Sequence, residues 1–132
     1  MPATTPLTER MLTELDVARL MRFAEREAPP ALSDCLDFAQ VVESQGVPAD
    51  VVTMNSRLEI REGDETRTLV LSYPAEADPQ AGRISVLSPV GASLLGLRCG
   101  ETASWRTPQG ELRTATVTAI LYQPEAAGHY TL

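Results

Sequence analysis

The sequence predicts an α+β protein in which a short antiparallel helical hairpin (a coiled coil) precedes a twisted, mostly antiparallel sheet that carries one short helix. Three observations predict this class. Apolar residues recur with a helical period up to about residue 45, they alternate with polar residues from residue 51 onward, and the stretch SPVGASLLGLRCGE (88–101) contains a helix start and a helix stop. The 132 residues suit one sheet domain, placed at 49–132, with the helical hairpin at 1–48 as its appendage.

The helical hairpin is predicted from two amphipathic stretches. The first helix begins with Asp16 as its N-cap and ends near Ala28, because two prolines follow. The second helix is predicted over 31–45, with Gly46 ending it. Each arm has about 10 to 15 residues and is therefore roughly 15–22 Å long. Residues 1–14 are polar and rich in threonine and proline, so we expect them to be frayed.

Five strands are predicted from the alternating pattern in the rest of the chain. The turn residues Gly63-Asp64 and Pro108-Gln109-Gly110 are typical of the tight connections between antiparallel strands. The predicted strands cover residues 57–62, 66–73, 83–88, 101–107 and 111–123.

The one short helix within the sheet region is predicted over 89–95. Serine at position 88 is a favourable N-cap residue, because its hydroxyl can accept a hydrogen bond from the first turn. Pro89 stands at the first helical position, and Gly96 suits the positive φ that often follows a helix. The small residues Gly91 and Ser93 are expected to let the helix approach the sheet closely. The helix and the residues after it are expected to fill the core with Val90, Leu94, Leu95 and Leu97.

Charge and motifs argue against several classes of function. A formal net charge of −7 disfavours independent binding to nucleic acid, because the chain repels a phosphate backbone. The sequence shows no leader or membrane-spanning run, no phosphate-binding loop and no metal-ligand pattern, and His129 is its only histidine. Cys35 and Cys99 lie outside any paired-cysteine motif. We therefore expect a cytoplasmic protein with reduced thiols and with neither cofactor nor metal.

Three segments resemble known families. The stretch SPVGASLLGLRCGE resembles the SP-x3-A-L-x-G-x3-GD signature in the C-terminal domain of the Gre transcript-cleavage factors, with Ser93 and Glu101 at the alanine and aspartate positions. The segments DVVTMNSRLEI (50–60) and YQPEAAGHYTL (122–132) are similar to a sister family, the regulator of nucleoside diphosphate kinase. Within the first of these, VTMNS (52–56) is interpreted as structural, with Asn55 and Ser56 bonding the backbone locally.

The resemblance implies a fold, a partner and a contact loop. The fold is an FKBP-like C-terminal domain with a shortened coiled coil, and the partner is bacterial RNA polymerase near the rim of its secondary channel. The Asp-Ser-Pro loop that contacts the polymerase in Gre factors corresponds here to Leu87, Ser88 and Pro89, with leucine replacing aspartate. The chain is then a non-enzymatic regulator that competes with Gre factors and contacts neither nucleic acid nor membrane directly. A monomer is favoured, although the sequence leaves the oligomeric state open.

Transcript cleavage is not expected from this chain. Gre factors place acidic residues of a long hairpin tip beside the catalytic magnesium, and the acids near this tip are Glu25, Glu27, Asp34 and Asp37. Because the arms are short, we interpret these acids as a solvated surface; a transcript-cleavage factor remains an alternative. The other alternative is an FKBP-like peptidyl-prolyl isomerase, which needs an aromatic pocket, whereas Trp105 is expected in the core.

Overall fold

A five-stranded sheet forms the centre of the molecule. The computed structural model describes residues 10–24, 32, 35–37 and 39–129. Its elements are β1 (Met11–Thr13), α1 (Glu14–Ala24), β2 (Gln40–Val42), β3 (Arg57–Glu62), β4 (Glu65–Ser72), β5 (Arg83–Ser85), α2 (Pro89–Leu94), β6 (Thr102–Arg106) and β7 (Leu112–Tyr122). Two single-turn 3₁₀ segments, Pro74–Glu76 and Pro79–Ala81, lie in the connection from β4 to β5.

The strand order in the sheet is β5-β4-β3-β7-β6, with β3 at the centre. Three of the four pairings are antiparallel, and β4 with β5 is parallel, so the sheet is mixed. The α+β class is confirmed, and all five predicted strands are present. The third of these ends at Ser85 rather than at residue 88, because the chain turns there to enter α2.

The core lies between α2 and one face of the sheet. Leucine side chains at the end of α2 and just beyond it are fully buried in this core, as predicted. Trp105 of β6 also belongs to this core, which confirms its predicted place. The fully buried contributors include Leu58, Ile60, Leu71, Leu94, Leu95 and Leu97.

The N-terminal prediction was wrong in two places. Residues 11–13 are not frayed: they form the buried strand β1, which pairs in parallel with β2. The second helix does not extend to residue 45, because residues 40–42 form β2 and Ser44–Gly46 is a 3₁₀ turn. Two consecutive valines in β2 favour an extended strand, and the backbone N–H of Gln40 donates to the Arg10 carbonyl at 2.9 Å. A three-residue strand of this kind has too few residues to show a period.

The start of α1 also differs from the prediction. The helix begins at Glu14, and the Thr13 hydroxyl accepts a hydrogen bond from the Asp16 N–H at 3.1 Å. Thr13 therefore takes the capping role predicted for Asp16, and Asp16 is freed to make contacts elsewhere.

The turn of the predicted helical hairpin lies outside the described residues, as does the predicted end of the first helix near Ala28. Residues 32 and 35–37 are helical, and Leu32, Cys35 and Leu36 are buried, as expected for one face of an amphipathic helix. Across the described ranges, no helix combines the length and apolar character needed to cross a membrane.

Candidate partner-binding loop

The loop between β5 and α2 contains the three residues predicted to contact a partner. Val86 fastens it to the sheet, because its backbone N–H donates to the Ser72 carbonyl at 2.9 Å and its side chain is fully buried. Leu87 is half-buried and packs against the edge of the core, and its N–H donates to the Ser85 hydroxyl at 3.1 Å. Pro89 is exposed at the first position of the helix. The loop therefore exposes the Pro89 ring on a backbone that is fixed by the Val86 and Leu87 hydrogen bonds on one side and by the start of α2 on the other.

The Ser88 hydroxyl donates one hydrogen bond and accepts another. The oxygen accepts from the Gly91 N–H at 3.1 Å, which confirms the predicted N-cap, and the hydroxyl donates to the Ser85 carbonyl at 2.7 Å. One side chain therefore closes the first turn of α2 and ties it to the end of β5. This role accounts for serine at position 88 without any partner, so Pro89 is the better position at which to test for one.

Gly91 sets how closely the loop folds back on itself. A Cβ atom at this position would lie 2.0 Å from the Ser85 carbonyl oxygen and 3.0 Å from the Val86 Cα. Both atoms belong to the backbone, so no side-chain rearrangement could relieve the overlap. The predicted close approach of α2 to the sheet is confirmed, and it fixes the shape of the loop.

The other end of α2 is held by the N-terminal segment. Gly96 has φ +83°, as predicted, and a Cβ there would come within 3.1 Å of Arg10. Arg10 is 4% exposed, and its guanidinium donates to the carbonyls of Ala92 and Leu95 at 3.3 and 3.4 Å. A buried positive charge at the C-terminal end of a helix complements the helix dipole and satisfies carbonyls that the helix itself leaves open. Sequence analysis missed Arg10, because it assigned that segment to a frayed end.

The VTMNS segment joins the N-terminal helix to the sheet domain. Asn55 has φ +67°, and the Ser56 hydroxyl accepts from the Thr53 N–H at 3.0 Å, which supports the predicted structural role. The Asp16 carboxylate accepts from the Met54 N–H at 3.0 Å. The pKa of Asp16 is raised to about 6, chiefly by burial, with the Met54 hydrogen bond lowering it and the nearby Glu125 carboxylate raising it. The base of α1 is therefore anchored by a carboxyl group that titrates close to neutral pH.

The structure describes one of the four acids predicted near the hairpin tip. Glu25, Glu27 and Asp34 lie outside the described residues, and Asp37 is exposed on the helical segment 35–37. No group of three or more metal-ligating side chains occurs among the residues that the structure describes.

The protein class follows from comparison of this fold and loop with known proteins. Residues 47–122 match the sequence model for the C-terminal region of the transcription elongation factors GreA and GreB. The match spans β3 to β7 and includes the partner-binding loop, and the chain belongs to the GreA/GreB family.

Within that family the chain is similar to a particular regulator over nearly its whole length. It is 40% identical to the regulator of nucleoside diphosphate kinase of Escherichia coli K12, over 92% of this chain and 96% of the relative. It is 36% identical to the elongation factor GreA of Bacillus cytotoxicus, over 66% of this chain but only 56% of that factor. A solved GreA/GreB elongation factor from Nitrosomonas europaea superposes with a TM-score of 0.72 at 34% identity, covering 89% of this chain and all of that one.

Proposed function

We propose that the protein is a non-enzymatic transcription regulator that binds bacterial RNA polymerase near the rim of its secondary channel. The observation that carries the proposal is the loop itself. Pro89 is exposed on a segment that the Ser88 hydrogen bonds and the Gly91 contact hold in one shape, within the part of the chain that matches the Gre factors. A preorganised loop loses little conformational entropy on binding, which favours affinity.

The chemistry of the proposed contact is largely apolar. Leu87 stands where the Gre factors have an aspartate, and it is partly buried against the core with Pro89 exposed beside it. A contact made through these two side chains lacks the charge of an aspartate. We therefore expect polymerase binding at this loop to depend only weakly on salt, because screening acts on charged pairs.

The N-terminal helices are proposed to occupy the channel rim without reaching the polymerase active site. The arms expected from the sequence have about 10 to 15 residues and are roughly 15–22 Å long. The first turn of α1 is anchored by the hydrogen bond from the Met54 N–H to Asp16. Acidic residues carried on such a short arm would stay solvated rather than ligate the catalytic magnesium. The protein would then block access by Gre factors without stimulating RNA cleavage, and would change expression of genes such as that for nucleoside diphosphate kinase indirectly.

The experiment measures binding of the purified protein to core RNA polymerase with single-residue variants. Pro89→Ala keeps the Ser88 cap but removes the exposed ring, and we expect it to weaken binding at least about fivefold, or about 1 kcal/mol. Pro108→Ala is the matched control, because Pro108 is also exposed but lies in the turn between β6 and β7. Equal affinities for wild type and Pro89→Ala would remove this loop from the interface.

A further inference from the structure

A cleft of about 560 Å³ has none of the loop residues 86–89 in its lining, and the proposed function does not use it. Its lining includes Asn55, Arg57, Val70, Glu76, Arg83 and Tyr122. The volume is in the range of small-molecule sites, and the connection from β4 to β5 forms one wall.

Four of the lining residues form one row across the sheet. Tyr122 of β7 pairs with Arg57 of β3, Arg57 pairs with Val70 of β4, and Val70 pairs with Arg83 of β5. Paired residues share a face of a sheet, and in β3 and β4 the row alternates with the core residues Leu58, Leu69 and Leu71, so it occupies the face opposite the core. Two strand spacings separate the Cα atoms of the arginines by roughly 10 Å, which lets both long side chains reach one group above Val70.

An irregularity in β7 brings the tyrosine into this row. Leu58 pairs with Ile120, yet the preceding residue Arg57 pairs with Tyr122, so β7 has one extra residue, Leu121, at this point. In a regular ladder Leu121 would face Arg57, and the bulge replaces it with an aromatic ring. The Tyr122 hydroxyl lies 2.6 Å from His129 Nδ1, which holds the ring in place.

The charges in the cleft favour an anion. Among the described residues neither Arg57 nor Arg83 has an ion-pair or side-chain hydrogen-bond partner, and the ion pair of the sheet joins Arg113 to Glu62 instead. Glu76 is the acid in the lining, so two guanidinium groups face one carboxylate. The nearby Asp78 carboxylate faces its own turn, where it accepts from the Ala81 N–H. Within the lining itself, positive groups therefore outnumber negative ones, in a chain with a net charge of −7.

We propose that this cleft binds a small phosphorylated molecule with a planar ring, its phosphate held between Arg57 and Arg83 and its ring against Tyr122. Guanidinium groups bind phosphate through paired hydrogen bonds, and a phosphate dianion matches two such groups better than a single carboxylate does. The cleft is too large for a phosphate ion alone, and the aromatic side chain at one end of the row provides a surface for a ring.

The test is isothermal titration of the whole chain at low salt with AMP, inorganic phosphate and adenosine. We expect AMP to bind more tightly than phosphate, phosphate to bind measurably, and adenosine not to bind. Arg57→Gln and Arg83→Gln should each weaken AMP binding at least about tenfold, since each removes charge-assisted hydrogen bonds. Arg67→Gln, an exposed position of β4 outside the cleft, is the matched control and should leave the affinity within about twofold. Thermal unfolding of each variant verifies that the fold is intact.

Several results would overturn the proposal. No heat of binding with millimolar AMP would remove the site, and so would equal affinities for wild type and the two arginine variants. Adenosine binding as tightly as AMP would show that the phosphate is not recognised, and phosphate binding as tightly as AMP would show that the ring is not. A glutamate-rich peptide that bound through Arg57 while AMP did not would make the cleft a protein-docking surface. The polymerase-binding experiment above has a separate readout, so neither failure implies the other.

Discussion

The Asp16 carboxyl group lies 3% exposed at the start of α1, where it accepts the Met54 N–H and faces several titratable groups. Glu125 is the nearby acid, Tyr73 has its hydroxyl 3.4 Å from Asp16 Oδ1, and Arg19 lies over the Tyr73 ring. Burial raises the pKa of Tyr73 as well, so its hydroxyl stays neutral. The charged form of Asp16 is disfavoured in this setting, and the folded protein takes up a proton there more readily than the unfolded chain does.

Asp16 therefore gives the stability of the protein a predictable pH dependence. Because its pKa is raised from 3.8 to about 6, its contribution is fully present below pH 4 and is lost as pH rises through about 6. In Asp16→Asn this titration is absent. Relative to wild type, we expect the variant to gain about 2 kcal/mol in unfolding free energy between pH 4 and pH 7. Urea unfolding across that range measures the difference, with Asp64→Asn in the exposed β3–β4 turn as control. Parallel curves for Asp16→Asn and wild type would contradict the assignment.

Residues with local roles were predictable, and those with distant partners were not. Ser88, Pro89 and Gly96 were placed correctly because a helix cap is decided by a few neighbouring residues. The buried charge of Arg10 has its partners more than 80 positions along the chain. No local pattern indicates such a contact, since an isolated charged residue is normally exposed.

At the scale of elements, the packing of α2 against the end of β5 depends on one glycine. Gly91→Ala places a methyl group 2.0 Å from a backbone oxygen, so either the helix or the strand end must move. We expect the free energy of unfolding to fall by at least about 2 kcal/mol, as for other overpacked cores. Urea denaturation provides the measurement. Gly46→Ala is the control, because nothing lies within 4 Å of a Cβ at that position; a small effect at both sites would show that the close approach is not rigid.

The elements that sequence analysis found belong to stretches with a repeating pattern or with clear turn and cap residues. Strand β5 has only three residues, but it was predicted because it lies in the longer alternating stretch 83–88. The strands of the five-stranded sheet and α2 each combine a repeating pattern with turn or cap residues at their ends. Strands β1 and β2 have three residues each, and they exist because their backbone groups pair in a buried setting. A helical interpretation of residues 40–42 continues the apolar period of the preceding residues, but it leaves β1 without its partner.

At the scale of the whole molecule, several hydrogen bonds and a shared core join the N-terminal segment to the sheet region. Arg10 binds the C-terminal end of α2, and Asp16 binds the VTMNS turn. The base of the helical arm is therefore fixed relative to the partner-binding loop at the other end of α2. The cleft on the opposite face of the sheet depends on strand register and on a bulge, which the sequence alone does not specify.

We propose that the protein occupies the Gre site on RNA polymerase without stimulating RNA cleavage. The most direct measurement is the rate of RNA cleavage in backtracked elongation complexes, with a fixed amount of Gre factor and increasing amounts of this protein. We expect Gre-stimulated cleavage to fall progressively toward the unstimulated rate, and the protein alone to leave that rate unchanged. Cleavage that stayed constant at high protein concentration, or that rose with the protein alone, would contradict the account.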